Sequence, residues 1–230
     1  MAAVFERANC VEAWSAVCNH LLVNGHTDTN IVAVITDPLY FEDAWVTRFN
    51  PRAVRAKGDQ IRDVMNTVFP QKTRQKSADR HVFYSRYKKA HQRGTKKGWG
   101  TYFLRLIQFG EKKENQLENA IHVLRTWKNN PHAAITFHLS SPETDSIRPR
   151  GGPCWHYGEV LCADKDSVEL VAVYRNHDYF NKALGNFIAL SRLLRFIAQE
   201  TGRSPKRLVC HSARAYYDAT RNDLQTLLAR

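Results

Sequence analysis

The strongest constraint in this sequence is a run late in the chain. From Asn186 the apolar residues Phe187, Leu190, Leu193, Leu194 and Ile197 recur at spacings of three and four, until Thr201-Gly202 stops the pattern. The spacing predicts the longest amphipathic helix of the chain, and its apolar stripe must be buried against other elements. The rest of the sequence supplies them. Val11, Trp14, Cys18 and Leu21 predict a helix stopped by Asn24-Gly25, and the β-branched run Ile31 to Thr36 predicts a strand ending at Asp37-Pro38. Ile61, Val64, Met65 and Val68 predict a second helix closed by Pro70. Leu117, Ile121, Leu124 and Trp127 predict a third, ending at Asn129-Asn130-Pro131. Short strands are expected at about Ala134 to Leu139, Tyr157 to Cys162 and Val168 to Tyr174, with the Pro/Gly-rich Arg148 to Pro153 between the first two. Neither a repeat nor an interdomain linker interrupts this order. It predicts an α+β fold, a single domain over 1–230, with several strands packed on the long buried helix.

With 230 residues, 43% of them hydrophobic, the chain has material for one sizeable core. Cys10, Cys18, Cys154, Cys162 and Cys210 form no C-x-x-C pair, and no Cys/His cluster has zinc-ligand spacing, so no metal is expected. The first ten residues lack the apolar core of a signal peptide, and no run approaches the length of about eighteen apolar residues that suggests a membrane span. A cytoplasmic protein with reduced thiols and no membrane partner is the expectation.

The net charge of +12 is concentrated between Lys72 and Lys97, where ten basic residues face one acid, Asp79. Phe83, Tyr84, Tyr87 and Trp99 interleave with them. This stretch, about 71–98, reads as a basic insert. Either it holds a polyanion with stackable rings, such as a nucleotide, a polyglutamylated cofactor or single-stranded nucleic acid, or it is a solvated, mobile segment.

Cys154 directly follows Arg150-Gly151-Gly152-Pro153, a tight turn that places a thiol at the mouth of a strand. It is either an exposed nucleophile or, as most cysteines are, a small buried hydrophobe. Tyr174-Arg175-Asn176-His177-Asp178 closes the next long strand with a guanidinium, an imidazole and a carboxylate, a set that can tune a thiol and hold an anion or form a surface ion-pair cluster.

Taken together, Gly152-Pro153-Cys154, Arg175-x-x-Asp178 and Asn186, eleven positions after Arg175, resemble the nucleotide site of thymidylate synthase. Asn115-Gln116-Leu117 through Asn130-Pro131 is similar to the helix and Asn-Asp-Pro turn of that family, Gly100-Thr101-Tyr102 to its Gly-x-x-Tyr segment, and Arg48-Phe49-Asn50 to one of its strands. The resemblance implies a three-layer fold with a mixed sheet on the long helix, and a homodimer formed by sheets packing back to back. It also implies the chemistry. Cys154 would add to carbon-6 of a uracil ring, making carbon-5 nucleophilic toward 5,10-methylenetetrahydrofolate. Arg175 would lie between thiolate and nucleotide phosphate. Asn186 would read the base edge, or serve only as N-cap of the long helix. Asp178 would contact the pterin, and Tyr216, with Tyr217 as competitor for the register, the ribose hydroxyls. Asp63 falls where the family has a catalytic glutamate, or faces solvent as helical aspartates commonly do. Tyr102 would assist proton removal at carbon-5, or be a buried structural tyrosine.

Departures accompany the resemblance. His132-Ala133 replaces a pair of phosphate-binding arginines, Trp155 follows the nucleophile where a histidine is usual, and Arg214 takes the place of a histidine in the ribose region. Few residues follow Tyr216 to close the site, so Trp155 or the rings of Phe83, Tyr84 and Tyr87 are candidate lids. The expected activity is transfer of a methyl or hydroxymethyl group to a uracil-type nucleotide. The alternatives are a nucleic-acid-binding or base-modifying homologue that uses the basic insert, and a silent nucleotide-binding relative.

Overall fold

A computed structural model describes residues 2–39, 61–94, 98–126, 134–145 and 151–229. The expectations for Arg48-Phe49-Asn50, Lys96-Lys97, the Asn130-Pro131 turn and Arg148 to Arg150 lie outside these residues.

The chain opens with strand β1 (Ala3–Arg7), which the sequence reading did not include. Helix α1 (Cys10–Asn24) follows; the Asn9 side chain caps it by accepting from the Glu12 N–H, and Gly25 ends it in the left-handed conformation at φ 85°. Strand β2 (Thr27–Ile35) alternates Ile31, Ala33 and Ile35 into the core with Val32 and Val34 on the opposite face. Helices α2 (Ile61–Val68) and α3 (Gln71–Gln75) are followed by α4 (Arg80–Gly94), α5 (Tyr102–Ile107) and α6 (Gln116–Thr126). Then come β3 (Ile135–His138), β4 (Trp155–Cys162), β5 (Ser167–Tyr174) and the two-residue β6 (His177–Asp178). The long helix α7 (Ala183–Thr201), strand β7 (Ser204–Tyr216) and helix α8 (Arg221–Leu228) complete the order.

The architecture is mixed α and β, as the sequence predicts, and the described residues build an open mixed sheet of seven strands. Its order is β1-β2-β7-β5-β4-β3, with β6 added beside β7. Strand β7 lies between β2, to which it is antiparallel, and β5, to which it is parallel. Helix α7 is buried along nearly its whole length and packs with α1 against the core face of the sheet. Truncating one of its fully buried side chains, Phe187 for example, is expected to cost roughly 3–5 kcal/mol. Its first turn lies so close to α2 that a Cβ added at Gly185 would sit 2.8 Å from the Val64 Cβ and 3.2 Å from the Ile61 carbonyl oxygen.

The described part of the basic segment, residues 71–94, is packed into the fold rather than solvated throughout. It forms α3 and α4, and Phe83 and Tyr84 are buried in the core, with the Phe83 ring 4.8 Å from Phe103. Sequence reading missed this because the charges outnumber the core-facing positions. Arg80 is spent on Glu118 and Glu200, and Arg74 on Glu200. No helix among the described residues is long and apolar enough to cross a membrane, and none of their His, Cys, Asp and Glu side chains forms a metal-binding cluster.

Candidate active site

At one end of the sheet three strand segments meet. Strand β4 runs antiparallel to β5, so its start lies beside the end of β5, with Trp155 opposite Tyr174. The turn that delivers β4 needs left-handed backbone at Gly151 (φ 84°) and Gly152 (φ 72°), which glycine adopts without strain. Main-chain bonds tie the three segments together. The Arg175 N–H donates to the Cys154 carbonyl (2.9 Å), and the Arg214 N–H donates to the Arg175 carbonyl (3.2 Å). Cys154, Arg175 and Arg214, far apart in sequence, thereby become neighbours.

The Cys154 thiol is half-buried rather than exposed as the sequence suggested. Burial raises its pKa, while the charge and side-chain hydrogen bond of Arg175 pull it down and the nearby Lys182 adds a smaller pull in the same direction. Burial wins, so the resting group is the thiol. The Arg175 guanidinium is held against the turn, donating from Nε to the Pro153 carbonyl (3.2 Å) and from Nη2 to the Gly151 carbonyl (2.6 Å). Tyr102 supports the same turn from below. Its hydroxyl accepts from the N–H groups of Cys154 (2.9 Å) and Trp155 (3.3 Å). Burial lifts its pKa to about 12, so the phenol stays protonated and can donate its own proton while it positions the nucleophile.

Asn186 is not the N-cap of the long helix; Lys182 holds that position, and Asn186 lies one turn inside. Its amide nitrogen meets Nε2 of His177 at 3.1 Å. His177 is fully buried, stacked on Tyr174 with centroids 4.1 Å apart, and bonded through Nδ1 to Ser212 Oγ (3.0 Å), which Tyr179 also reaches. Burial drives its pKa down to about 3, so the imidazole is neutral. A neutral ring that donates from Nδ1 to Ser212 presents an accepting Nε2, which orients the Asn186 amide. One N–H and the carbonyl oxygen of Asn186 are left for another partner. Sequence reading placed His177 in a polar cluster without this role, because the network is assembled by residues 35 positions apart.

Asp178 is buried, and its acceptor positions are engaged: Oδ1 accepts from Phe180 N (2.9 Å) and Asn181 N (3.2 Å), Oδ2 accepts from the Asn181 amide (2.7 Å), and the Asp218 backbone adds a fourth bond. It pins the turn between β6 and α7. Tyr216 is half-buried, opposite Asp178 in the β6–β7 pairing, and both Asp178 and Cys154 raise its pKa after burial does. The exposed Arg214 guanidinium stacks over the Tyr216 ring at 4.9 Å. Tyr217, the competitor, is buried against His26. The structure therefore brings Cys154, Tyr102, Arg175, Asp178, Tyr216 and Arg214 to one end of the sheet, with Asn186 joined through His177.

Asp63 stands apart from this set of bonds. It lies in the first turn of α2, is exposed, and has Arg62 at 3.8 Å as its ion-pair partner. The candidate lids are corrected as well: Trp155 is fully buried with its indole N–H on the Tyr157 carbonyl, and Phe83 and Tyr84 are core residues. The histidine expected at position 155 appears one residue on. His156 occupies the bulge of β4 and is half-buried; burial first, then the Arg175 charge, lowers its pKa and keeps it neutral. Lys182 is the other residue that sequence reading missed; its place at the helix start beside Cys154 follows from the turn that Asp178 pins.

Chemically, the site offers a thiol under a guanidinium, a neutral imidazole, a protonated phenol, an oriented amide and two further cations. These are parts for nucleophilic chemistry at a thiol beside a cation. No protein-family model matches the chain, and no curated protein sequence matches it.

Proposed function

We propose that the chain is a thymidylate-synthase-like enzyme with that family's three-layer fold, using Cys154 to activate carbon-5 of a uracil-type nucleotide for transfer of a methyl or hydroxymethyl group. The observation that carries the reading is the Arg175 guanidinium, bonded to the turn that presents Cys154 and acting on its sulfur. The thiol gives up its proton to a base, for which neutral His156, two residues along the chain, is the candidate, and the Arg175 charge stabilises the thiolate that forms. The sulfur then bonds to carbon-6, and the electron pair of the 5,6 double bond moves to carbon-5 and into the ring carbonyl. The remaining N–H and carbonyl oxygen of Asn186 match the acceptor and donor of the uracil imide edge. Carbon-5 uses that pair to bond its new substituent; loss of its proton then frees the carbon–hydrogen pair, which re-forms the double bond and expels the Cys154 thiolate. Tyr102 positions Cys154 in this scheme, and Tyr216 and Arg214 form the ribose side. Lys182 and Arg175 stand in for the arginine pair that His132-Ala133 lacks. Asp63 stays the weakest member, for want of any described bond to the others.

Methylenetetrahydrofolate is the one-carbon donor this reading implies; it would supply carbon at the oxidation level of formaldehyde, which gives a hydroxymethyl group with water or a methyl group with a hydride from the tetrahydrofolate. The fit is poor at Asp178, whose acceptor positions are already filled by protein donors.

The experiment follows tritium release from carbon-5 of labelled deoxyuridine monophosphate, since reversible addition of Cys154 labilises that bond. Release should rise with pH as the raised thiol pKa is approached, and Cys154→Ala should abolish it. Release at wild-type rates from the alanine variant sinks the nucleophile assignment.

A second reading, polyanion binding, is favoured by one observation. His81, Ser85, Lys88, Lys89 and Gln92 share one face of α4 and line an open hollow of about 390 Å³. The buried aromatics leave that face charge but few rings for stacking.

A further inference from the structure

A cavity of about 530 Å³ is lined by residues that do not include Cys154 or the groups around it. Ile188, Ser191, Arg192, Arg195, Phe196 and Gln199 form one stripe of α7 along it, and Arg74 with Gln71 and Gln75 of α3 closes the other side. The stripe is separate from the site above: at about 1.5 Å rise per residue, Arg192 lies roughly 9 Å and Gln199 roughly 20 Å along the axis from Asn186. The charges among its described liners have one sign. Arg74, Arg192 and Arg195 line it, and no acidic residue among the described liners does. Arg195 makes no hydrogen bond or ion pair with a described residue, and Arg74, shared with Glu200, is held over the Phe196 ring at 5.5 Å. The floor is apolar and aromatic, from Phe69, Phe196 and Ile188. At the inner end the buried Cys10 thiol meets Ser191 Oγ at 3.3 Å, with Arg192 and Asp37 both acting on it.

We propose that this cavity is a second binding site, for a small organic anion, phosphate or carboxylate, attached to a flat apolar body. Its volume is that of a metabolite-sized pocket. Arginine forks would take the anionic group, and Phe196 and Phe69 the ring. The inference is independent of the chemistry assigned to Cys154.

Phenyl phosphate is the probe, and the readout is its affinity for the full chain by titration calorimetry. Saturable binding is expected in wild type and should persist in Arg175→Gln, which removes the guanidinium beside Cys154. The double variant Arg192→Gln/Arg195→Gln should weaken binding about tenfold or more, as loss of charged hydrogen bonds predicts. Arg195→Gln alone, an exposed change that leaves the helix intact, should weaken it severalfold and serves if the double variant fails to fold. No saturable binding, binding abolished by Arg175→Gln, or unchanged affinity in Arg195→Gln overturns the proposal.

Discussion

His177 shows how one buried residue couples stability to specificity. Its imidazole titrates near 3 in the folded protein, against 6.5 ordinarily, so at pH 5 the unfolded chain has taken up a proton that the folded chain has not. Stability from this residue is complete above about pH 6.5 and drains away as pH falls toward 3. Between pH 7 and pH 5 the loss is roughly 2 kcal/mol. Urea midpoints at the two values should show His177→Gln losing less on acidification than wild type, although it starts less stable; parallel losses would mean that other groups carry the acid sensitivity. Much of the site was legible at this scale. Cys154, Arg175 and Asn186 carry recognisable spacing, and the structure gathers Cys154 and Arg175 at one strand end, with Asn186 bonded to His177, two residues after Arg175. His177 and Lys182 were not legible as partners, because their meaning depends on Ser212 and on a turn that only tertiary structure assembles.

At the scale of elements, α2 and the first turn of α7 pack closely enough to need a glycine at position 185. Gly185→Ala would place a methyl 2.8 Å from Val64, forcing the helices apart. The expected cost is about 1–3 kcal/mol, with a lower rate of tritium release, since Asn186 is the next residue. Val64→Ala should recover part of that loss, so a double-mutant cycle on the denaturation midpoints should show coupling; strict additivity would show that the helices slide apart freely. Helices α1, α2, α6 and α7 and strands β2 to β5 could be read from period alone. Strand β7 could not. Its more exposed positions carry Lys206, Arg207, His211 and Arg214, its buried ones include Cys210 and Ser212, and Pro205 stands at its start, so the apolar alternation fades. The short run Leu208-Val209-Cys210 was the remaining signal. Helix α4 was misread for the opposite reason: its few core positions, led by Phe83 and Tyr84, were outvoted by charge.

At the scale of the molecule, the sheet has one face under α1 and α7 and another whose residues stand outside that core. Val34, Val209 and Val171 form a row across β2, β7 and β5, and Val32, His211, Val173 and Tyr157 form the next, with Tyr157 40% exposed. The homodimer belonging to the proposed function would use this face. Sedimentation at micromolar concentration should give twice the 26.5 kDa chain mass, reduced to one chain by Val209→Glu, which places a charge in the central strand. A wild-type monomer under those conditions removes the dimer from the reading.

The position of β7 also bears on how the protein is made. It joins a β1–β2 pair to a β5–β4–β3 group, yet it is the last of the seven strands to leave the ribosome. Until then a nascent chain holds two half-sheets with open edges, each able to pair with another chain. Closing them requires contacts across most of the sequence, which makes folding slow and dependent on late synthesis. Protein halted before Ser204 should therefore aggregate rather than accumulate as a soluble intermediate.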